Sequence, residues 1–97
     1  MADTPLPDLI LYGRAECGLC AEARELVTAL LADRRTHGLP TPNLVERDIE
    51  TNDEWHRRYL STIPVLELDG HQLELATSLA RVRRLLADVL DGERATA

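Results

Sequence analysis

Short apolar runs alternate along the chain with longer segments whose apolar residues recur at helical spacing. The first run is Leu-Ile-Leu at residues 9–11, inside a strand that we predict over residues 8–12 and that Gly13 ends. Because every position of this run is apolar, the strand is expected to be buried on both faces. Residues 1–7 contain two prolines and are predicted to be a loose terminus.

A long amphipathic helix is predicted after this strand. Its spacing places on one face Leu19, Ala23, Leu26, Val27, Leu30 and Leu31. Gly38, followed by Pro40 and Pro42, is expected to end the helix and to begin a loop. A second strand is predicted over residues 44–49, which begin with Leu-Val.

A second, shorter helix is predicted from a capping-box pattern. Thr51 is followed three residues later by Glu54, and this spacing predicts a helix that starts at Thr51. Trp55 and Tyr59 are one helical turn apart, and aromatic residues at that spacing most often pack a helix against a sheet.

The last third of the chain predicts a hairpin and a final helix. An Asp-Gly turn separates strands over residues 65–68 and 71–75, which is a strong hairpin signal. Apolar residues then recur at helical spacing over residues 79–90, and Thr77 or Ser78 is expected to be the N-cap.

The predicted order of elements is βαβαββα. Its first half is a βαβ unit, which implies two parallel strands joined by a right-handed crossover, and its end is an antiparallel hairpin. We therefore predict an α/β fold with a four-stranded mixed sheet and three helices. Residues 1–97 are expected to form one domain.

Composition and charge restrict the core and the partners. The chain has 3% aromatic residues and no Phe, so we expect a core of Leu, Val, Ile and Ala. Its net charge of −6 disfavours a nucleic-acid partner, which would require a basic surface. Neither a secretory signal nor an apolar run of membrane-spanning length is visible, so we expect a cytoplasmic protein without a membrane partner.

The two cysteines, Cys17 and Cys20, are the only ones in the chain. A disulfide that closes so short a loop removes little entropy from the unfolded chain, so a purely structural role is disfavoured. Structural zinc needs four ligands, and His37, His56 and His71 are not at ligand spacing from one another. We therefore expect no metal site.

The position of the pair favours redox chemistry. Cys17 is expected at the start of the first helix, where free N–H groups and the helix dipole stabilise a thiolate. Cys20 follows one turn later and could resolve a mixed disulfide. A CxxC pair beside a βαβ pattern is typical of thioredoxin-like proteins, and two inert buried cysteines are the alternative. Glu16 disfavours a thiolate at Cys17 and Arg14 favours one, and their balance stays open.

Residues 12–20 resemble the active-site segment of glutaredoxins, which has an aromatic residue closing the first strand, a basic residue three before the first cysteine, and CxxC. Residues 62–70 are similar to the Thr-Val-Pro segment and Asp-Gly turn of that family. The resemblance is greatest to the short bacterial glutaredoxin-like proteins and covers most of the chain. It implies a thioredoxin fold and thiol–disulfide exchange, in which Cys17 attacks and Cys20 resolves.

The resemblance also implies a substrate-binding surface around the pair. Pro64 is expected to be cis and to face CxxC, and Ile63 is expected to offer its backbone to an extended thiol peptide. The surface would be completed by Tyr12, Arg14, Gly18 and Leu19, with Arg14 positioned to orient an acidic group. The partners implied are protein disulfides or low-molecular-weight thiols, and the oligomeric state stays open.

The sequence departs from the glutaredoxin pattern where that family binds glutathione. The expected Gly-Gly is replaced by Glu74-Leu75, and an acidic pair at the start of the last helix is replaced by Thr77-Ser78. We therefore expect weak glutathione binding and no other cofactor. A non-catalytic binding module, for example a dimer holding an iron–sulfur cluster, is the alternative function, and a scaffold with vestigial cysteines is a third.

Overall fold

A computed structural model describes residues 5–91, which form four strands and three α-helices. The strands are β1 Leu9–Gly13, β2 Leu44–Asp48, β3 Val65–Leu68 and β4 His71–Leu73. The α-helices are α1 Gly18–Thr36, α2 Asp53–Tyr59 and α3 Leu79–Leu86. A 3₁₀ turn, Ile49–Thr51, precedes α2, and a π-helical turn, Ala87–Asp91, follows α3. Of the predicted loose terminus, residues 1–4 lie outside the described residues, and residues 5–7 form no helix or strand.

The sheet has the strand order β2-β1-β3-β4. β1 pairs in parallel with β2 and antiparallel with β3, and β4 closes the hairpin with β3. The predicted order of elements and the mixed four-stranded sheet are confirmed. β1 is a central strand of the sheet, and the loop that leads into α1 follows directly from its carboxyl end.

The larger part of the core lies between the sheet and the helices α1 and α3. Its buried members are Leu9, Leu11, Ala23, Val27, Leu30, Leu31, Leu66, Leu68, Ala76, Val82 and Leu86. All of them are Leu, Val or Ala, so this layer has the aliphatic composition expected from a chain without Phe.

The other face of the sheet packs against α2 and is aromatic, which corrects the expectation of a purely aliphatic core. Tyr12 stacks on Tyr59 with ring centroids 4.3 Å apart, and Trp55 meets Tyr12 edge-on at 5.8 Å. The three aromatic residues of the chain thus form one cluster. A helix of only two turns has few positions to offer, so large side chains are needed to bridge it to the sheet. The prediction that Trp55 and Tyr59 pack α2 is confirmed.

The N-cap of α2 is Asn52, so the predicted start at Thr51 is wrong. The Asn52 side-chain oxygen accepts hydrogen bonds from the backbone N–H groups of Glu54 and Trp55 at 3.0 and 3.1 Å. Thr51 instead ends the preceding 3₁₀ turn, and its hydroxyl donates to the carbonyl of Asp48. Both residue types are good caps, and the extra turn before α2 decides between them. For α3, Ser78 rather than Thr77 is the N-cap.

Two expectations next to the site are also corrected. Leu19, which was expected on the buried face of α1, is 48% exposed. Cys20 lies on that face instead, at helical spacing from the buried Ala23, Val27 and Leu30. The strand predicted over residues 71–75 ends at Leu73, since Leu75 adopts a left-handed backbone with φ 50°.

One buried charge was not foreseen from the sequence. Arg34, near the end of α1, is 7% exposed. Its guanidinium makes two hydrogen bonds to the Asp91 carboxylate, at 2.8 and 3.2 Å, and donates a third to the Pro40 carbonyl at 2.8 Å. The pair therefore ties α1 to the following loop and to the last turn of the described chain.

Candidate active site

The two cysteines form a disulfide at the start of α1. Cys17 is the N-cap, with an extended backbone, and Cys20 is the third helical residue. The Cys17 Sγ accepts a hydrogen bond from the backbone N–H of Cys20 at 3.1 Å. A first-turn N–H group thus points at the sulfur of Cys17, as it would at a side-chain oxygen in an ordinary cap.

The two sulfurs differ in exposure and in surroundings. Cys20 is 2% exposed, whereas Cys17 is half-buried and lies nearer the surface. Gly13 leaves room for Cys20: a Cβ there would lie 3.1 Å from the Cys20 Sγ, closer than ordinary van der Waals contact. Sequence reasoning treated Gly13 as a turn residue alone, and only the packing of α1 against β1 shows its second role.

The segment before β3 belongs to the same buried cluster as the two cysteines. Cys17, Cys20, Ile63 and Val65 belong to the cluster that also contains Tyr12, and the fully buried Pro64 lies between Ile63 and Val65 in the chain. The Ile63–Pro64 peptide bond is cis. The structure therefore brings residues from three elements to the carboxyl end of β1.

The backbone of Ile63 is only partly free. Its N–H donates to the Tyr59 carbonyl at 3.0 Å, while its carbonyl accepts no hydrogen bond from the described residues. A peptide that docks beside Ile63 therefore finds an acceptor but no free donor at this residue.

The chain after β4 returns to the same segment. Leu75 donates its N–H to the Thr62 carbonyl at 3.0 Å, and Ala76 donates to the Pro64 carbonyl at 2.8 Å. These two bonds hold residues 75–76 alongside Thr62 and Pro64. Leu75, at φ 50°, is 52% exposed.

Arginine and glutamate side chains surround a cavity of about 310 Å³ between α1 and β2. Arg14, Arg24 and Arg47 line it, and Arg14 also lines the groove beside Cys17. Arg24 is bonded to Glu46 at 2.6 Å, and Arg14 is paired with Glu50 at 3.4 Å. Arg14 therefore lies close enough to Cys17 to contact an acidic group of a bound substrate, but its guanidinium already forms an ion pair with Glu50.

Tyr12 supports the site from within. Its side chain is 4% exposed, and burial raises the pKa of its hydroxyl, as does the charge of Glu67. Arg47 opposes this shift by donating a hydrogen bond to the Tyr12 hydroxyl at 3.2 Å. The hydroxyl therefore stays protonated at neutral pH, and Tyr12 presents little surface to a ligand.

Gly18 and Leu19, in contrast, are exposed in the first turn of α1.

Within residues 5–91, no three His, Cys, Asp or Glu side chains are grouped so that they could hold a metal ion. None of the helices in that same range is long and apolar enough to cross a membrane.

Residues 8–90 match the sequence model of a family described as Glutaredoxin-like domain (DUF836). The chain belongs to this glutaredoxin-like family. The match covers every strand and helix described above except the last residue of the final turn, and the Cys17–Cys20 pair lies inside it. The resemblance seen in the sequence is thus confirmed, and it supports a redox-type protein of the thioredoxin fold.

The solved structures that are similar to the glutaredoxin-like chain include the following two. One is the X-ray structure of the structural-genomics target protein XcR50 from X. campestris, which is 28% identical over 80% of this chain and 93% of that one, with a TM-score of 0.63. The other is the solution NMR structure of protein Ne2328 from Nitrosomonas europaea, which is 21% identical over 88% and 95%, with a TM-score of 0.61. The second likeness concerns the fold alone. No curated protein matches the chain at a significant level.

Proposed function

We propose that this protein is a thiol–disulfide oxidoreductase that cycles Cys17 and Cys20 between a dithiol and a disulfide. The observation that carries the proposal is the asymmetry of the pair: Cys17 caps α1 and lies nearer the surface, while Cys20 is buried one turn further on. Thiol–disulfide exchange needs one accessible nucleophile and one shielded resolving thiol, and this arrangement supplies both.

The reaction uses no atom beyond the two partners. The Cys17 thiolate attacks one sulfur of a substrate disulfide, and the other substrate sulfur leaves as a thiol after taking up a proton. Cys20, after losing its proton, then attacks the Cys17 sulfur and releases the second substrate thiol. The substrate disulfide is reduced by two electrons, and the protein is oxidised to the Cys17–Cys20 disulfide. A dithiol reductant supplies the two electrons and two protons that return this disulfide to the dithiol, and is itself oxidised to a disulfide.

The neighbouring residues have positioning roles in this proposal. Pro64 shapes the groove beside the disulfide, and the free carbonyl of Ile63 accepts a hydrogen bond from an extended substrate. Arg14 orients an acidic group when one is present. The partners are protein disulfides or low-molecular-weight thiols, and the reducing cytoplasm is the compartment in which such a dithiol is kept ready.

The proposal predicts that Cys17 is the reactive thiol. In the fully reduced protein, a short pulse of iodoacetamide at neutral pH should modify Cys17 at least about tenfold faster than Cys20, because Cys17 is nearer the surface and at the helix start. Mass spectrometry of the digested protein measures both rates. Faster modification of Cys20 would show that the roles are assigned wrongly.

Matched serine variants complete the test. Cys20→Ser should accumulate a mixed disulfide with a disulfide substrate through Cys17, whereas Cys17→Ser should accumulate none. If neither variant forms a mixed disulfide and the oxygen-free protein shows the visible absorption bands of an iron–sulfur cluster, the non-catalytic binding module replaces this proposal.

A further inference from the structure

We propose that the groove beside Cys17 binds the amino-acid end of a small disulfide, so that the preferred substrates are zwitterionic disulfides of the cystine type. The α-ammonium of the substrate pairs with Glu16, and its α-carboxylate pairs with Arg14 and Arg24. This inference rests on the proposed function and names a substrate class for it.

The groove, called here the α1 groove, has a volume of about 360 Å³ and follows the first two turns of α1. Cys17, Ala21 and Arg24 line it at a spacing of four and then three residues, so they lie on one side of the helix. Between them the lining is small, because Ala15 and Gly18 are the other neutral members and an added Cβ at Gly18 would meet nothing within 4 Å. The groove therefore has room beside Cys17 for a ligand of amino-acid size.

Charges of both signs line the α1 groove close to the nucleophile. Glu16 directly precedes Cys17, Arg14 lies two residues before Glu16, and Arg24 follows two turns later. Arg24 begins about 10 Å along the helix from Cys17, and helical side chains lean towards the N-terminus, so its guanidinium can reach back towards the sulfur. A matching ligand carries an ammonium and a carboxylate near its sulfur, as an amino-acid disulfide does.

The two arginines keep donors for a substrate carboxylate. Arg24 uses its Nε–H in a 2.6 Å bond to Glu46, and Arg14 uses one Nη1–H in a 3.4 Å contact with Glu50. A guanidinium has five N–H donors, so further donors of both side chains stay available within residues 5–91. All four side chains are about half exposed, and such exposed ion pairs are weak enough for a carboxylate to compete with them.

Glu16 supplies the negative charge of the α1 groove. Its side chain is exposed and makes no ion pair with another residue of the described chain, 5–91. Its backbone is left-handed, with φ 58°, and this turn places the residue immediately before the extended Cys17. An unpaired carboxylate beside the attacking sulfur repels an anionic disulfide and attracts an ammonium group.

The net charge of the chain agrees with a zwitterionic substrate. The chain carries −6, which repels anionic disulfides, whereas cystine has no net charge and is not repelled. The reaction balances: the Cys17 thiolate bonds to one cystine sulfur, and the other half leaves as cysteine after taking up a proton. Cys20, after losing its proton, then displaces the bound half, so that one cystine becomes two cysteines and the dithiol becomes a disulfide.

The test is single-turnover oxidation of the pre-reduced full-length protein by five small disulfides. They are L-cystine, D-cystine, the cationic cystamine, the anionic dithiodipropionate and the neutral hydroxyethyl disulfide. Salt at about 0.15 M screens the net charge of the chain beyond about 8 Å. Acid quenching, alkylation and mass spectrometry give each second-order rate constant, which is divided by that of the same disulfide with dithiothreitol to remove intrinsic reactivity.

In the wild-type protein the normalised rate for L-cystine should exceed that for hydroxyethyl disulfide by about five- to tenfold, because two charge pairs are gained. It should exceed the rates for cystamine and dithiodipropionate by at least about twofold, because each of these makes only one pair. L- and D-cystine react equally with dithiothreitol. Their rates with the protein should differ by about threefold or more, since a site that holds the ammonium, the carboxylate and the sulfur together distinguishes enantiomers.

Variants assign the two charges. Glu16→Gln should lower the normalised rates for L-cystine and cystamine by about threefold. Arg24→Gln combined with Glu46→Gln, which leaves no unpaired Glu46, should lower those for L-cystine and dithiodipropionate by about threefold. The matched controls, Glu25→Gln and Arg35→Gln, change exposed residues of α1 that line neither the α1 groove nor the cavity next to it, so every rate should persist.

The outcomes separate the inference from the function on which it rests. Equal rates for L- and D-cystine, or a fastest reaction with dithiodipropionate, would overturn the zwitterion site while leaving the oxidoreductase intact. Rates in Glu16→Gln and in the double variant that equal those of the controls would do the same. No reaction with any disulfide, hydroxyethyl disulfide included, would remove the proposed function itself.

Discussion

Gly13, which has no side chain, leaves room for the sulfur of Cys20. The space at Gly13 is occupied by Cys20, whose Sγ and Cβ would lie 3.1 and 3.2 Å from a Cβ added to this glycine. Cys20 can give way only with difficulty, because it is 2% exposed, lies in the first turn of α1 and is bonded to Cys17. Gly18, in the same turn, has nothing within 4 Å of an added Cβ.

The two glycines should therefore respond oppositely to alanine. Gly13→Ala is expected to lower the free energy of unfolding of the oxidised protein by about 1–2 kcal/mol through overpacking. Gly18→Ala should leave it unchanged or raise it by up to about 1 kcal/mol, because alanine is the better helix former and the site is open. Chemical denaturation of the oxidised proteins measures both values. A Gly13→Ala protein as stable as Gly18→Ala would mean that Cys20 does not need this space.

At the scale of elements, α2 depends on one cap. Asn52 satisfies two of the four N–H groups that the first turn leaves free, and Thr51 satisfies none of them. We expect Asn52→Ala to lower the free energy of unfolding by about 1 kcal/mol, and the neighbouring control Thr51→Ala to change it by less than about 0.5 kcal/mol. Urea denaturation of both variants measures these free energies. A larger loss in Thr51→Ala than in Asn52→Ala would show that Thr51 is the N-cap.

Strands and helices could be predicted because local patterns agree with the packing. The run at residues 9–11 is apolar throughout because β1 has strands on both sides and helices on both faces. Gly38 and the prolines after it end α1 within two residues of the predicted point. The cap of α2 was misplaced because two good capping residues are adjacent, and only the 3₁₀ turn before them distinguishes their roles.

Features that depend on distant residues could not be predicted. Arg34 is buried because Asp91, 57 residues later, meets its guanidinium. The strand after the Asp-Gly turn is short because Leu75 leaves the sheet to bond Thr62. For the candidate site, the spacing of Cys17 and Cys20 indicated their pairing and their positions at the start of α1, but the role of Gly13 could not be read from the sequence.

At the scale of the whole molecule, net charge works against glutathione. The tripeptide is anionic and the chain carries −6. The exposed Glu74 and Leu75 add side chains where glutaredoxins, which the sequence resembles, are expected to have glycines, and Thr77 and Ser78 offer no charge to the amine of the tripeptide. One lost charge-assisted hydrogen bond weakens binding by about 1.5–3 kcal/mol, or roughly ten- to a hundredfold.

We therefore expect slow turnover in a glutathione-coupled disulfide assay and faster turnover with a dithiol reductant. Changing Thr77 and Ser78 together to Asp restores an acidic pair, and Asp can also serve as the N-cap of α3. This double variant should raise the glutathione-linked rate several-fold. A Michaelis constant for glutathione in the low-millimolar range or below, in the unmodified protein, would contradict the expectation.

The ion pair of Arg34 and Asp91 has a consequence for genetics. It lies roughly 20 Å along α1 from Cys20. Removing Asp91 would leave the buried Arg34 guanidinium bonded only to the Pro40 carbonyl among the described residues, and removing Arg34 would abolish all three of its hydrogen bonds. Cells that carry such a variant would hold less folded protein, because a decrease of a few kcal/mol in the free energy of unfolding exposes more unfolded chain to proteases. In a genetic screen for loss of redox activity, substitutions of Arg34 would therefore be found as well as substitutions of Cys17. Immunoblotting would distinguish them, because only the Arg34 variants would have a lower steady-state abundance.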